Sequence, residues 1–158
     1  MGKEIERKFL LANDSWRTCV QSSTFVRQGY LCSAKERTVR VRIADGKAYL
    51  TVKGPNRGLE RAEFEYEIPE EDAMAILDSL AERPLIEKIR HIVFYAGMTW
   101  EIDEFAGENK GLVMAEVELE AVDQSLIIPD WVGKDVSSDP RYYNSYLVKN
   151  PYGLWQNK

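Results

Sequence analysis

Ionised side chains alternate with apolar ones along most of this chain, and each stretch tends to carry one sign of charge. With a period of two, Glu4, Glu6 and Lys8 fall on one face, and Ile5, Phe9 and Leu11 on the other with Arg7 among them. The pattern returns at Arg40 and Arg42, at Thr51 and Lys53, and at Glu63, Glu65 and Glu67. It returns again at Lys88 and Arg90, at Glu101 and Asp103, and at Glu116, Glu118 and Glu120. A solvent-facing antiparallel sheet also reads apolar-in and polar-out, but it usually mixes in Ser, Thr, Asn and Gln. Like charges two residues apart on a strand sit roughly 7 Å from each other. They repel by about 2 kcal/mol at an effective dielectric of ~20, against about 0.6 kcal/mol in water. Stability gives little reason to group charges so; a polyanion bound together with metal ions would.

Turn chemistry divides the pattern into strands. Asp45-Gly46 predicts a two-residue hairpin between 37–44 and 47–54, and Ala96-Gly97 a second between 85–95 and 98–105. Strands are also predicted over 4–11, 25–31, 61–68 and 112–121, eight in all. Gly29 inside its strand predicts a bulge or a close backbone approach. Asn13-Asp14-Ser15 reads as a helix start that places Trp16 outside the sheet. Pro69 with Glu70, Glu71 and Asp72 opens a helix whose apolar stripe is Ala73, Met74, Leu77, Leu80 and Ala81. The fold class expected is mainly β (α+β), an eight-stranded antiparallel closed barrel with helices packed outside. A barrel lined by Arg, Lys and Glu cannot pack dry, so its apolar faces must turn outward.

Glu4-x-Glu6-x-Lys8, Arg40-x-Arg42, Lys53, Arg61-x-Glu63-x-Glu65, Lys88-x-Arg90 and Glu116-x-Glu118, in this order, resemble the CYTH domain, or triphosphate tunnel metalloenzyme, family. One Glu-x-Glu-x-Lys is a weak signal; all six in order are a strong one. Pro129-Asp130-Trp131 and Arg141-Tyr142-Tyr143-Asn144 are similar to signatures of its short bacterial members, with Asp135-Val136-Ser137 where Glu-Val-Thr is typical. The resemblance implies cleavage of triphosphate compounds with Mg²⁺ or Mn²⁺. Carried over by position, Lys8, Arg40, Arg42, Lys53, Lys88 and Arg90 would bind the phosphate chain, with Arg141 reaching it at one mouth. Glu4, Glu6, Glu116 and Glu118 would hold metal, with Asp103 a weaker ligand. Asp103, Glu63 and Glu65 are the weaker candidates, and their other reading is to hold the basic residues in place.

Arg27-Gln28-Gly29-Tyr30 resembles triphosphatases that use a Lys–Tyr pair, here Lys88 and Tyr30, with Lys8 the rival base. The reaction expected is hydrolysis of inorganic triphosphate to pyrophosphate and phosphate, with an alkaline optimum. The alternatives are a class IV adenylate cyclase and a non-catalytic polyphosphate-binding module.

The remaining bounds are broad. A chain of 158 residues reads as one domain over 1–158, with a C-terminal helical segment from about 140 and a loosely ordered tail from Pro151. A net charge of −5 disfavours nucleic acid. One His and no Cys-x-x-Cys disfavour zinc, and Cys19 and Cys32 are expected to be free thiols. Without an apolar leader or a long apolar run, the protein is expected in the cytoplasm with no membrane contact. A homodimer is left open.

Overall fold

The structure is a computed structural model that describes residues 2–155. Strands β1 (Lys3–Leu11), β2 (Val20–Ala34), β3 (Arg37–Ala44), β4 (Lys47–Lys53), β5 (Glu60–Ile68), β6 (Ile86–Tyr95), β7 (Met98–Phe105) and β8 (Val113–Glu118) hydrogen-bond antiparallel in the order β5-β4-β3-β2-β6-β7-β8-β1. A short β1–β5 ladder, Lys3↔Ala62 to Ile5↔Glu60, closes them into a barrel. The hairpin turns take left-handed backbone as their residues predict, with φ 53° and 73° at Asp45 and Gly46, and 50° and 77° at Ala96 and Gly97.

A ninth strand, β9 (Val132–Asp135), was not foreseen. It lies along β1 beyond the reach of β5, pairing at Phe9↔Asp135 and Leu11↔Val132. A Cβ at Gly133 would stand 3.1 Å from the Leu10 carbonyl, so glycine lets the two backbones meet without either giving way.

Alternation along each strand sorts side chains to the two faces of the barrel wall. The outward residues Ile5, Phe9, Trp100, Ile102, Ala115 and Val117 form the main core, closed over by Trp16, Leu119 and Trp131. Helix α1 (Glu70–Ser79) packs outside β3 and β4. Its buried side is only Ala73 and Leu77 with Ile76 and Ala81 beside them; Met74 and Leu80, expected in the stripe, are 47% and 67% exposed. Gly29 meets this region: a Cβ there would come within 2.8 Å of Ala81 and Leu85. The β2–β3 register also shifts between Tyr30 and Cys32, so close approach and bulge are both present.

One end of the interior is dry after all. Ile86, Phe105 and Met114 sit on the inward phase of their strands, yet they cluster with Leu147 and Val148 of helix α2 (Asn144–Lys149) and with Tyr142. This apolar plug caps the barrel, and the charged interior begins above it. The tail to Trp155 is tied down rather than loose. Tyr152 donates its backbone N–H to Asn109 Oδ1, and the Trp155 ring packs edge-on against Tyr142 and Tyr146 while its Nε1–H donates to the Asn150 carbonyl.

Candidate active site

The charged part of the barrel encloses a cavity of about 280 Å³. Two arcs of opposite sign line it. The basic arc carries Arg40 and Arg42 (β3), Lys53 (β4), and Lys88 and Arg90 (β6); the acidic arc carries Glu63 and Glu65 (β5), Glu4 and Glu6 (β1), Glu116 and Glu118 (β8), and Glu101 (β7). Lys8 stands inside the acidic arc. First and last barrel strands are neighbours, and their ladder sets Glu6 opposite Glu118 and Lys8 opposite Glu116.

Asp103 anchors the basic arc from below. Its carboxylate is fully buried and accepts both prongs of the Arg90 fork at 2.8 Å, while Lys88 Nζ lies 2.8 Å from Oδ2. Burial alone would favour the neutral acid, but Arg90 and Lys88 outweigh it and hold the carboxyl well below its ordinary range. Lys88 is displaced the other way. Burial, with Arg90 and Arg42 alongside, brings its amine down to about 7 in spite of Asp103, which Arg90 already engages. Arg42 has no carboxylate within ion-pair range among the described residues and is pressed below its usual value by burial, Arg40 and Arg90. The buried Arg40 Nε–H has no acceptor. This arc holds more buried positive charge than the protein neutralises.

The acidic arc has the complementary excess. Burial, Glu116 and Glu4 raise the Glu6 carboxyl to about 8. Neither the Glu6 nor the Glu118 side chain takes a hydrogen bond or ion pair among the described residues. Glu4 lies 2.7 Å from Lys53, yet burial still raises its carboxyl. Glu116 lies 3.5 Å from Lys8; burial opposes its charge, but Lys8, Arg90 and Lys88 together outweigh it and lower the carboxyl to about 2. Burial works against the Lys8 ammonium too, but Glu116, Glu6 and Asp103 together raise it above its ordinary value. No cluster of three His, Cys, Asp or Glu is prearranged for a cation among the described residues. A Mg²⁺-type ion needs only one or two carboxylates if phosphate and water complete its shell. Glu6 and Glu118, facing each other without partners, fit that requirement.

Lys8, Arg40, Arg42, Lys53, Lys88, Arg90, Glu4, Glu6, Glu116, Glu118 and Tyr30 all line the one cavity. Two expected residues do not join them. Asp103 points inward but is buried beneath Arg90 and Lys88, and its oxygens face those two cations rather than the cavity. Arg141 is exposed, forked onto Asp139 and set over the Tyr142 and Trp155 rings, because a 3-10 turn over Pro140–Tyr142 carries it away from the mouth. No hydrogen bond joins Tyr30 to Lys88. The ladder sets Lys88 opposite Val26, four residues before Tyr30, and Tyr30 is instead near enough to Lys8 and Arg42 to bear on both electrostatically. Glu63 and Glu65 do steady basic residues: Glu63 lies 3.3 Å from Lys53, and Glu65 lies 3.6 Å from Arg40 and accepts from Thr51. Among residues not predicted, Glu101 pairs with Arg90 at 3.2 Å, and Ser137, Tyr143, Asn144 and Ser145 close the lower rim. Glu101 was visible in the alternation, whereas Asn144 reads in sequence only as a helix start.

Comparison with known proteins places this arrangement. A family model for the CYTH domain matches residues 2–143. An inorganic triphosphatase of Acetivibrio thermocellus is 51% identical over 152 residues, covering 96% of this chain and 97% of the relative. One from Nitrosomonas europaea is 34% identical over 149 residues, covering 92% and 96%. A crystal structure of an inorganic triphosphatase superposes with a TM-score of 0.65 at 30% identity, over 92% of this chain and 93% of that one.

Proposed function

The chain belongs to the CYTH domain family, and from that membership we propose that it hydrolyses inorganic triphosphate to pyrophosphate and phosphate inside the barrel, with Mg²⁺ or Mn²⁺ as cofactor. The observation that carries this reading is the pair of unbalanced arcs. A triphosphate with a divalent cation supplies the anion that Arg42 and the Arg40 Nε–H lack and the cation that Glu6 and Glu118 lack. The cavity lining also favours bare phosphate over a nucleotide: a base would need an apolar slot, and only Tyr30, Leu59 and Tyr143 offer apolar bodies there.

Binding is an exchange of partners. Arg42 donates to phosphoryl oxygens without breaking an ion pair, Arg40 offers an Nε–H that has no acceptor in the free protein, and the fork of Arg suits two oxygens at once. Lys8 and Lys53, held in the free protein by Glu116 and Glu4, would turn to the phosphate, and Glu4, Glu6, Glu116 and Glu118 would hold the metal. The chemistry such a metal would supply there is neutralisation of charge on the phosphoryl oxygens. Water then attacks the terminal phosphorus, the P–O–P bond to the middle phosphate breaks, and pyrophosphate leaves with the bond's electrons. Lys88 accepts the water's proton. It is the better base of the two lysines because its amine is already neutral above about pH 7, whereas Lys8 is held protonated. Tyr30 bears on the anion from the Lys8 side.

The test is phosphate release from triphosphate, ATP, thiamine triphosphate and long polyphosphate, each with Mg²⁺ or Mn²⁺, across neutral to alkaline pH. Triphosphate should give the highest kcat/KM, with kcat rising through about pH 7 as Lys88 loses its proton. Cyclic AMP from ATP, or binding of polyphosphate with no release under any metal, would overturn the reading.

A further inference from the structure

Asn144 opens α2 and turns its side chain into the barrel, where it lines the cavity beside Lys88. Its Oδ1 accepts from Lys88 Nζ at 2.9 Å and from Gln28 Nε2 at 3.3 Å. The Gln28 Oε1 in turn accepts from Arg42 Nε at 3.0 Å. This chain of bonds has only one consistent direction. A guanidinium has no acceptor atom, so Gln28 must present its oxygen to Arg42 and its NH₂ to Asn144. Asn144 then meets donors in both Gln28 and a protonated Lys88, and must present its oxygen. The Asn144 amide orientation, which distances alone do not assign, is fixed here by Arg42, two links away.

The consequence falls on Lys88. Its nitrogen has four tetrahedral directions. One is the bond to Cε, one points to Asp103 Oδ2 at 2.8 Å and one to Asn144 Oδ1 at 2.9 Å. Both partners only accept, so in the neutral amine they hold its two N–H bonds. The fourth direction must carry the lone pair, and Lys88 lines the cavity. Resting on the assignment of Lys88 as base, we infer that Asn144 is a positioning residue that aims the Lys88 lone pair at the attacking water. Without it the amine still donates one N–H to Asp103, but rotation about Cε–Nζ lets the second N–H and the lone pair exchange places, so the lone pair faces the water only part of the time.

The experiment is a double-mutant cycle on kcat and KM for triphosphate, combining Asn144→Ala with Lys88→Ala. Asn144→Ala should lower kcat about 10- to 100-fold, part of what a positioned base supplies, with KM within about three-fold. In the Lys88→Ala background the same substitution should change kcat by less than about two-fold. Asn144→Asp guards against a folding defect: it keeps the acceptor oxygen while adding a charge to those of Asp103, Arg90, Arg42 and Glu116 around the amine. Its kcat should recover at alkaline pH to within about three-fold of the unaltered chain, while the Ala variant stays low.

If Lys88→Ala alone leaves kcat intact, the base assignment fails and this inference with it. If Lys88→Ala is impaired but Asn144→Ala keeps kcat, or loses as much with Lys88 as without it, the base stands and the role of Asn144 is overturned.

Discussion

Asp103 and Glu6 point inward from the two strands that flank β8, and their surroundings pull them in opposite directions. Asp103 has two cations at hydrogen-bond distance and is an anion under any ordinary condition. Glu6 has two carboxylates as neighbours and no cation within ion-pair distance among the described residues, and burial with those carboxylates outweighs Lys8 and Lys53 and raises it to about 8. One acid is finished as the protein folds; the other waits for something the chain does not supply. The interior therefore contains a structural charge cluster and a binding charge cluster side by side, and composition alone does not separate them.

The largest predicted effect comes from breaking the finished cluster. Asp103→Ala leaves Arg90 and Lys88 buried without their shared anion, and removing one partner of such a pair costs about 3–5 kcal/mol. Urea unfolding should show that loss, and phosphate release should fall with it because Lys88 loses a fixed orientation. A loss below about 1 kcal/mol would mean that Arg90 finds a new partner in Glu101, and the distinction between the two clusters would blur.

The binding cluster should respond to pH instead, and with the opposite sign at its two members. The folded Glu6 carboxyl lies at about 8 against an ordinary 4.5. Its contribution to stability is full below about pH 4.5 and is lost as pH rises through 8. Glu116, at about 2, contributes above its ordinary range and loses that contribution as pH falls toward 2. In metal-free buffer the melting temperature should therefore decline from mildly acidic to alkaline pH, and Glu6→Gln should flatten the decline while activity falls. At roughly 2–4 °C per kcal/mol for a chain of this size, a shift of a few degrees is expected. Adding Mg²⁺ to the unaltered protein at about pH 8 should recover the lost degrees, since binding to the folded form alone stabilises it. A melting temperature indifferent to both pH and Mg²⁺ would place the metal elsewhere than Glu6.

The division between the clusters marks where the sequence stops being legible. Strand phase, the hairpins at Asp45-Gly46 and Ala96-Gly97, and the inward set of ionised residues follow from a period of two and from turn chemistry, which are local. Whether Glu101 or Asp103 becomes the buried anchor depends on the ladder that sets Arg90 opposite Asp103, and register between strands is not local. Strand β9 escaped because four residues between Trp131 and Val136 give alternation too little length to register. The apolar plug escaped for a related reason. Ile86, Phe105 and Met114 each continue a charged face by one step, and only closure of the barrel stacks them into a layer. Asn144 and the tail carry no charge pattern at all; their roles appear when α2 folds back onto β2 and β6.

The smallest predicted effect tests the outer boundary of the binding cluster. Arg141 has the residue type, and from its signature the expected place, of a phosphate ligand. In the fold it forks onto Asp139 at 2.7 Å, stacked over two aromatic rings and open to solvent. Solvent screens such a pair, so Arg141→Ala should leave kcat/KM for triphosphate within about two-fold and the melting temperature within about 2 °C. Arg40→Ala, which removes a guanidinium whose buried Nε–H has no partner in the free protein, should raise KM strongly by the same assay. A tenfold rise in KM for Arg141→Ala would mean that the anion extends past Asn144 and out beneath the plug. The basic arc would then be longer than the barrel, and chains longer than triphosphate would become the better substrates.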